Sequence, residues 1–399
     1  MIKGSQAKSI MVWLLLSAIC LPLAGCWDQR ELQNRHMVLA AAIDVVDGDV
    51  KESETFVEAH GGRNFRLSVQ LLDIEPQEGE QGEGKERTYV ISGVGRLFFE
   101  IMRDMFGQLG RPISWEHIQA IVISQAAVDY GGIDQLLDWF SRDAEMRWRI
   151  RLYITPGEAK PIIEYQPPGG EPNGLFLTGI SRNYIKNPHI GSVQTELGYA
   201  SGRIDNKIPI PIPKIELSGD IIKVGGIGIV KNGQVVGYLD EYETLGAKFI
   251  MGSEKSAIIT TACKDHPDRV FALELYQHDT TLEPHVSGDN IYYTLDITVY
   301  GSIGEMQTCP EPNDHNLIDA EFLEKMEQQF AEEVQKTVVH AYERHQTLKV
   351  DSLGMGKKLQ NKYPKKWIEI KDRWNEEVFP HVPLIVSVNV SIRHTADRK

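Results

Sequence analysis

The chain has 399 residues and a formal net charge of −14 at pH 7, with 56 acidic and 42 basic side chains. This length is sufficient for two or three domains. The acidic balance argues against nucleic acid as a partner, because the phosphates of the nucleic acid would be repelled.

Residues 1–25 have the three-part layout of a secretory signal. Lys3 and Lys8 precede an apolar segment from Ile10 to Ala24, and no acidic residue occurs in this region. The segment is short for a helix that stops transfer through a membrane, so we expect it to be removed. A permanent N-terminal anchor helix is the alternative interpretation.

Cys26 follows two small residues, Ala24 and Gly25, as in the lipobox of bacterial lipoproteins. This resemblance implies that diacylglycerol is attached to the Cys26 thiol, that the chain is cleaved between Gly25 and Cys26, and that the new N-terminus is acylated. One acyl chain holds a protein only marginally and two hold it stably, at about 0.8 kcal/mol for each buried methylene. No later apolar run approaches ~20 residues, so we expect an anchored chain that does not span the membrane.

The remaining cysteines leave one question open. Cys20 would leave with the signal, whereas Cys263 and Cys309 would stay in the mature chain. A disulfide is permitted outside the cell membrane. The sequence does not decide whether these two cysteines pair.

The N-terminal half mixes predicted strands with predicted helices. Runs of apolar residues predict strands at His36–Val46, Phe65–Leu71 and His117–Ser124. Apolar residues spaced by about four predict amphipathic helices at Leu97–Phe106 and Ile133–Phe140.

Three stretches break this pattern. Glu75–Arg87 is charged and glycine-rich, so we expect a loop. Gln166–Gly174 (QPPGGEPNG) is typical of turns. Lys207–Ile215 (KIPIPIPKI) is predicted to be extended, because proline fixes φ and disfavours helix in the preceding residue. We place the main domain boundary in this last stretch.

Residues 147–154 (RWRIRLYI) alternate between apolar and basic side chains. Alternation predicts a strand with Trp148, Ile150, Leu152 and Ile154 on one face and Arg147, Arg149 and Arg151 on the other. The arginine row can hold an anionic ligand, or it can form the solvated face of a half-buried strand.

The C-terminal half opens with a hairpin. Asn232 and Gly233 lie between two apolar runs, which is a strong signal for a two-residue β-turn. The glycine-rich Val224–Gly228 therefore belongs to a strand, since a dinucleotide-binding loop would open a helix instead. Further strands are predicted at Arg269–Tyr276 and Tyr292–Tyr300.

The longest helical pattern runs from about Leu317 to His345. Its apolar residues are spaced by four, namely Met326, Phe330, Val334, Val338 and Tyr342. This pattern indicates a helix laid across a sheet, because it drifts from the 3.5-residue repeat of a coiled coil. A shorter helix around Lys365–Trp374 and a strand from Leu384 to Ile392 complete the chain.

Strands and helices thus mix in both halves without regular βα repetition, which favours an α+β fold with mixed β-sheets and packed helices in two or three domains. The C-terminal part is expected to fold by itself. The predicted divisions are a signal peptide at 1–25, a lipidated neck at 26–35, an N-terminal domain at 36–200, a Pro-rich linker at 201–219 and a C-terminal domain at 220–399.

No motif in the sequence predicts catalysis or metal binding. Phosphate-binding loops, His-Glu-x-x-His and Cys-x-x-Cys are absent. His340 and His345 would point about 140° apart around a helix, so they are not expected to share a metal. Asp265, His266 and Ser287 have no supporting local motif, such as a nucleophile elbow. We therefore expect no enzyme, no metal and no cofactor other than the lipid on Cys26.

Several long segments resemble one protein family. "GCWDQREL" resembles the start of the mature C-subunit lipoproteins of spore germinant receptors, the Ger(x)C family. "GRLFFEIMRDMFGQLGRPISWEHIQAIVIS" is similar to the N-terminal region of that family. "GGIGIVKNGQVVGYLDEYETLGAKFIMG" and "GKKLQNKYPKKWIEIKDRWNEEVFPHVPLIVSVNVSIRHT" are similar to the opening and closing parts of its C-terminal region.

This resemblance implies a receptor subunit on the outer face of the inner membrane of an endospore. It would act beside an A subunit and a multi-spanning B subunit in the response to nutrients, and direct nutrient binding is left open. The membrane-proximal neck would comprise Trp27, Asp28, Arg30, Glu31 and Leu32. Trp27 suits the lipid headgroup layer, although it can equally pack on the first domain.

A solute-binding lipoprotein of a transporter is the rival function. Such proteins favour two doubly wound α/β lobes, and the sequence does not show the repeated βα pattern that these lobes require.

Overall fold

The computed structural model describes residues 35–47, 63–73, 87–183, 195–253, 256–263, 267–307 and 320–395. The loop predicted at Glu75–Arg87 lies outside these ranges, except for its last residue. The confirmed fold class is α+β, with two sheets and helices packed against both.

The first part of the chain alternates between strands and short helices. Its elements are β1 (His36–Asp47), β2 (Arg63–Asp73), β3 (Arg87–Gly95), α1 (Phe98–Met105), β4 (Ile113–Ser114), β5 (Ala120–Ser124), α2 (Gln125–Gly131), α3 (Ile133–Arg142), β6 (Arg151–Thr155), α4 (Lys160–Glu164), α5 (Asn173–Arg182), α6 (Leu197–Asp205), β7 (Ile210–Ser218), β8 (Ile221–Lys231) and β9 (Gln234–Leu239).

These strands form one mixed sheet in the order β3-β2-β1-β5-β6-β7-β8-β9, and β4 also pairs with β1. The centre of the sheet is parallel, with Ala41 opposite Ile121 and Ile121 opposite Leu152. The flanking strands β2, β3, β8 and β9 run antiparallel to their neighbours. The amino ends of β1, β5, β6 and β7 therefore share one edge of the sheet, which we call the amino edge.

Both faces of this sheet are buried. Helices α1, α2, α3 and α6 cover one face, with Phe98, Leu137 and Phe140 in the core. Helices α4 and α5 cover the other face, where Tyr153 and Leu177 are buried. Burial on both sides explains the near-continuous apolar run of β1, because each successive side chain meets a core.

The second part of the chain builds a smaller sheet. Its elements are α7 (Glu241–Met251), β10 (Ala257–Ala262), β11 (Val270–Ser287), β12 (Asn290–Met306), α8 (Ala320–Thr347), α9 (Met355–Lys362), α10 (Pro364–Ile370) and β13 (Leu384–Thr395). The strand order is β10-β11-β12-β13, and β13 runs parallel to β12.

Helix α8 lies across this second sheet, as the spacing of its apolar residues predicts. All five residues of the predicted apolar ladder are buried, and Phe330 has no exposed surface. The helix also protects the sheet edge, because the Glu327 carboxylate accepts the Ile392 N–H at 2.7 Å. An uncovered edge strand would otherwise present unpaired backbone groups to solvent.

The two parts of the chain share a core. Ile227, Ile229 and Leu239 belong to the first sheet but pack in the cluster formed by α7, α8 and the second sheet. Arg344 in the last turns of α8 donates to the Tyr238 carbonyl oxygen at 3.1 Å. Strands β8 and β9 of the first sheet therefore pack in the same core as the second sheet.

The predicted Pro-rich linker, residues 201–219, contains the end of α6 and strand β7. Residues of β7 are extended as expected, but they pair with β8 on one side and β6 on the other, as in Ile210 with Val230 and Ile154 with Lys214. This segment is thus a member of the sheet. The division into domains at this point stays a prediction.

The predicted alternation of residues 147–154 is confirmed only in part. Ile150, Leu152 and Ile154 pack in the same core, as expected of one face. Strand β6, however, begins only at Arg151, and Tyr153 is buried on the opposite face because helices cover both faces of the sheet. Trp148, predicted to face the core, lies before the strand with 56% of its surface exposed. Arg151 is paired with Glu196 at 3.2 Å, so the three arginines do not form a row.

The other local predictions are confirmed in part. The Asn232-Gly233 hairpin is confirmed, with φ of 51° and 85° at the two turn residues. Strand β3 has no counterpart in the sequence predictions, and β5 begins at Ala120 rather than His117. Cys263 is disulfide-bonded, and its partner lies outside the described residues.

Candidate functional site

The predicted lipidation and cleavage positions, Gly25 and Cys26, lie outside the described residues, as do Trp27, Asp28, Arg30, Glu31 and Leu32 of the neck. The described chain begins at Arg35, whose Nη1 lies 3.3 Å from Glu145 Oε1. The other oxygen of Glu145 accepts the Trp115 N–H at 3.1 Å. The end of the neck is thereby fixed to the loop between α3 and β6.

Three polar side chains meet at the carboxyl ends of the central parallel strands, where α/β sheets often place ligand sites. They are Asp44 on β1, Ser124 on β5 and Thr155 on β6, all of them buried. No sequence motif marks this cluster, since its three residues are far apart in the chain.

The side chains of this cluster accept hydrogen bonds from backbone N–H groups of the segments that follow the strands. The two Asp44 carboxylate oxygens accept the N–H groups of Ala159 at 2.7 Å and Lys160 at 2.9 Å. Ser124 Oγ accepts the Ala127 N–H at 3.3 Å and so caps α2. Burial raises the pKa of the Asp44 carboxyl group, partly opposed by its hydrogen bonds to these backbone groups and to Ser124. These hydrogen bonds hold the loop between β6 and α4 against the buried carboxyl group of Asp44.

The two histidines of α8 have separate surroundings. His345 is fully buried; its Nδ1 lies 2.7 Å from the Ala341 carbonyl oxygen, and its Nε2 lies 2.9 Å from Ser352 Oγ. Burial lowers the pKa of His345, which keeps the ring neutral near pH 7. His340 instead lies 3.5 Å from Glu243. The two rings do not converge on one site.

No group of three or more metal-ligating side chains is placed to hold an ion among the described residues. Of the three residues considered for a hydrolase, Asp265 and His266 lie outside the described ranges, and Ser287 is exposed at the end of β11. Within the described ranges, no helix combines the length and the hydrophobicity needed to cross a membrane.

Two open depressions lie on the surface of the described structure. One, of about 680 Å³, lies at the β11–β12 turn and the start of β13, next to Tyr292, His381 and Ile385. The other, of about 480 Å³, lies between α4 and the β7–β8 turn, next to Tyr165 and Leu217.

The C-terminal segment that carries the family resemblance has a structural role. Asp351 accepts hydrogen bonds from the Met355 and Gly356 N–H groups and from Trp374 Nε1, at 2.6 to 3.0 Å. A methyl group at Gly356 would come within 2.9 Å of Trp367 and Trp374. These contacts fix α9 against the tryptophans that precede β13.

Two family models match consecutive parts of the chain. Residues 28–204 match "Spore germination protein N-terminal domain", and residues 225–396 match "Spore germination B3/ GerAC like, C-terminal". Strand β7 falls between the two matched regions.

Curated relatives from Bacillus subtilis (strain 168) match over nearly the whole chain. Spore germination protein YndF is 26% identical over 96% of both chains. Spore germination protein KC is 24% identical over 98% of this chain and 96% of its own, and spore germination protein B3 is 22% identical over 94% of each.

A solved structure shares the fold. The crystal structure of the GerBC protein superposes with a TM-score of 0.59 at 17% sequence identity, covering 88% of this chain and 97% of that chain. The two family models, which match in the order expected, confirm the resemblance found in the sequence. The chain belongs to the GerAC-like, or Ger(x)C, family of spore germination proteins.

Proposed function

We propose that this protein is the lipid-anchored C subunit of a nutrient germinant receptor. It would lie on the outer face of the spore inner membrane and help to trigger germination through contacts with the A and B membrane subunits. The observation that carries this proposal is the match of both halves to spore germination families. The lipobox-like sequence before Cys26 supports the anchor.

The arrangement of the polar groups supports a role in binding rather than in chemistry. The buried ionisable groups described above, Asp44 and His345, are engaged in hydrogen bonds that hold loops to helices. Such groups stabilise the fold and leave the surface to interact with partners. A subunit that transmits a signal by contact needs a rigid body of this kind.

Replacement of Cys26 by Ala tests the anchor. In a strain without other receptor subunits, we expect the variant to leave the membrane fraction, because the thiol that accepts diacylglycerol is gone. Cys20→Ala is the matched control, since that cysteine lies in the segment expected to be removed. Retention of the Cys26→Ala protein in the membrane at the wild-type level would exclude lipidation as the anchor.

The receptor role has its own test. Deletion of the gene should slow nutrient-induced germination without affecting germination triggered by agents that bypass nutrient receptors. Affinity purification from spore membranes should recover an A and a B subunit with the wild-type protein. Normal nutrient germination of the deletion strain, measured with the other receptors removed, would contradict the proposal.

A further inference from the structure

The amino edge of the first sheet is where the membrane anchor joins the fold. Arg35 is the first described residue and is held by Glu145 at 3.3 Å. Only eight residues lie between Cys26 and Arg35, so nine Cα–Cα steps join them. A fully extended chain of that length spans about 30 Å, so the amino edge is tethered close to the lipid surface.

An exposed turn projects from this edge, two residues after Glu145. The Ile150 N–H donates to the Arg147 carbonyl oxygen at 3.3 Å, which places Trp148 and Arg149 at the centre of the turn. All three residues from Arg147 to Arg149 are exposed. Neither arginine side chain has a hydrogen bond or an ion pair within the described part of the chain.

The turn is held firmly in this conformation. The Gly198 N–H, in the first turn of α6, donates to the Trp148 carbonyl oxygen at 2.9 Å. A methyl group at Gly198 would lie only 3.2 Å from Trp148 Cβ, so the helix packs directly on the tryptophan. An exposed indole on a fixed backbone loses little conformational entropy when it binds.

The charge of this edge differs from that of the whole chain. Residues 35, 111–119, 143–151 and 195–209 together contain seven basic and five acidic side chains, although the whole chain has a formal net charge of −14. Two of these acids, Glu145 and Glu196, are paired with Arg35 and Arg151. The remaining basic excess includes the two unpaired arginines of the turn.

The strands that flank the edge on this side are farther from the turn. Asp73 ends β2 and Arg87 begins β3. Strand β2 is three strands away from β6, which is about 14 Å. The ends of β2 and β3 therefore lie beyond the screening length of ~10 Å at 0.1 M salt, measured from the turn.

We propose that the Arg147–Arg149 turn rests on the surface of an anionic phospholipid membrane. Trp148 lies in the headgroup layer, for which its amphipathic ring is suited. Arg147 and Arg149 bind lipid phosphates, which attract basic side chains near an anionic surface. The inference rests on the proposed anchor, and it fixes which edge of the fold faces the membrane.

The experiment uses the mature chain, residues 26–399, with Cys26→Ser and an N-terminal polyhistidine tag bound to nickel-chelating lipid. The vesicles contain brominated phosphatidylcholine, with or without phosphatidylglycerol, and bromine quenches nearby tryptophan fluorescence. All variants carry Trp27→Phe, which removes the neck tryptophan beside the tether, and in this background Trp148→Phe should lose the quenchable part of the emission. Trp139→Phe is the control, because that ring packs on Trp115 at 4.9 Å.

A charge variant tests the arginines. R147Q/R149Q should reduce quenching in phosphatidylglycerol vesicles to the level seen in phosphatidylcholine alone. Without the tether, its affinity for phosphatidylglycerol vesicles should fall about fivefold for each arginine. The double variant K365Q/K371Q makes the same charge change at exposed lysines on α10 and just after it, and should bind as the wild type does.

Equal quenching of the wild type and Trp148→Phe would overturn the proposal, as would equal effects of the two charge variants. The tag supplies the attachment in this assay. The result therefore does not depend on acylation of Cys26, which the fractionation of Cys26→Ala decides separately.

Discussion

Gly246 of α7 lies directly against Thr337 of α8. A methyl group at Gly246 would come within 2.2 Å of the Thr337 carbonyl oxygen and 2.6 Å of the Ala341 methyl group. The absence of a side chain lets the two helix backbones touch, and the carbonyl group cannot turn aside as a flexible side chain could. Helix α7 follows directly from β9 of the first sheet, so this contact ties that sheet to the helix that covers the second.

Gly246→Ala should therefore destabilise the fold. We expect a loss of about 1–3 kcal/mol in the free energy of unfolding, because the two helices must separate to accept the methyl group. Gly179→Ala in α5 is the control, since nothing lies within 4 Å of its added methyl group. The control should gain up to ~1 kcal/mol from helix propensity. Denaturant unfolding of residues 27–399 measures both, and equal effects would exclude the close contact.

Phe330 tests the assignment of the α8 face to the core. Its side chain is fully buried, so Phe330→Ala should cost roughly 3–5 kcal/mol. Gln328→Ala, at an exposed position of the same helix, should change the stability by less than ~0.5 kcal/mol. An unchanged melting midpoint for Phe330→Ala would instead indicate that this face serves a partner.

The features that the sequence predicts well are local or periodic. The Asn232-Gly233 turn follows from two residues that tolerate positive φ. The buried face of α8 follows from a spacing of four maintained over five residues. Both signals arise within a few turns of chain, so no knowledge of the rest of the fold is required.

The features that the sequence did not predict depend on distant neighbours. Trp148 alternates with buried residues, yet α6 fixes it in an exposed turn before β6 begins. The meeting of Asp44, Ser124 and Thr155 depends on the order of three parallel strands. The proline-rich strand β7 looked like a linker, because prolines are rare inside sheets.

The independence of the C-terminal half stays a prediction, and the structure sharpens its test. A fragment of residues 208–399 keeps β7 beside β8, whereas residues 220–399 expose the whole edge of β8. We expect the longer fragment to melt cooperatively and the shorter one to be less soluble. Calorimetry and sedimentation compare the two. A longer fragment without a cooperative transition would contradict an independent C-terminal unit.

The disulfide of Cys263 should join it to Cys309. The Cys263 N–H donates to the Arg269 carbonyl oxygen, and the Gln307 N–H donates to that of the next residue, Val270. Gln307 therefore lies across β11 from Cys263, and Cys309 follows it by two residues. The other two cysteines would be removed with the signal or acylated.

Peptide mapping of the oxidised mature chain should find one linked pair that contains both cysteines. Closing a loop of this length stabilises a protein by about 2–4 kcal/mol, so Cys263→Ser and Cys309→Ser should lower the stability equally. Reduction of the wild type should reproduce the loss. A Cys263 peptide linked to Cys26 would contradict both this pairing and the lipid anchor.

The buried carboxyl group of Asp44 should make the stability depend on pH. Burial raises the pKa of Asp44 in the folded state above its ordinary value in the unfolded state. At a pH between these two pKa values, the folded state keeps the proton and the unfolded state has released it. The free energy of unfolding should therefore decrease as the pH rises from about 4 through the raised pKa.

Asp44→Asn lacks this titration and leaves one of the two N–H donors, from Ala159 or Lys160, without an acceptor. The lost acceptor should cost about 1–3 kcal/mol. The advantage of the wild type over Asp44→Asn should thus be greatest near the acid end and should shrink as the pH rises, in unfolding measured across this range. An advantage that grows with pH would mean that the two backbone hydrogen bonds outweigh burial and hold the carboxylate ionised.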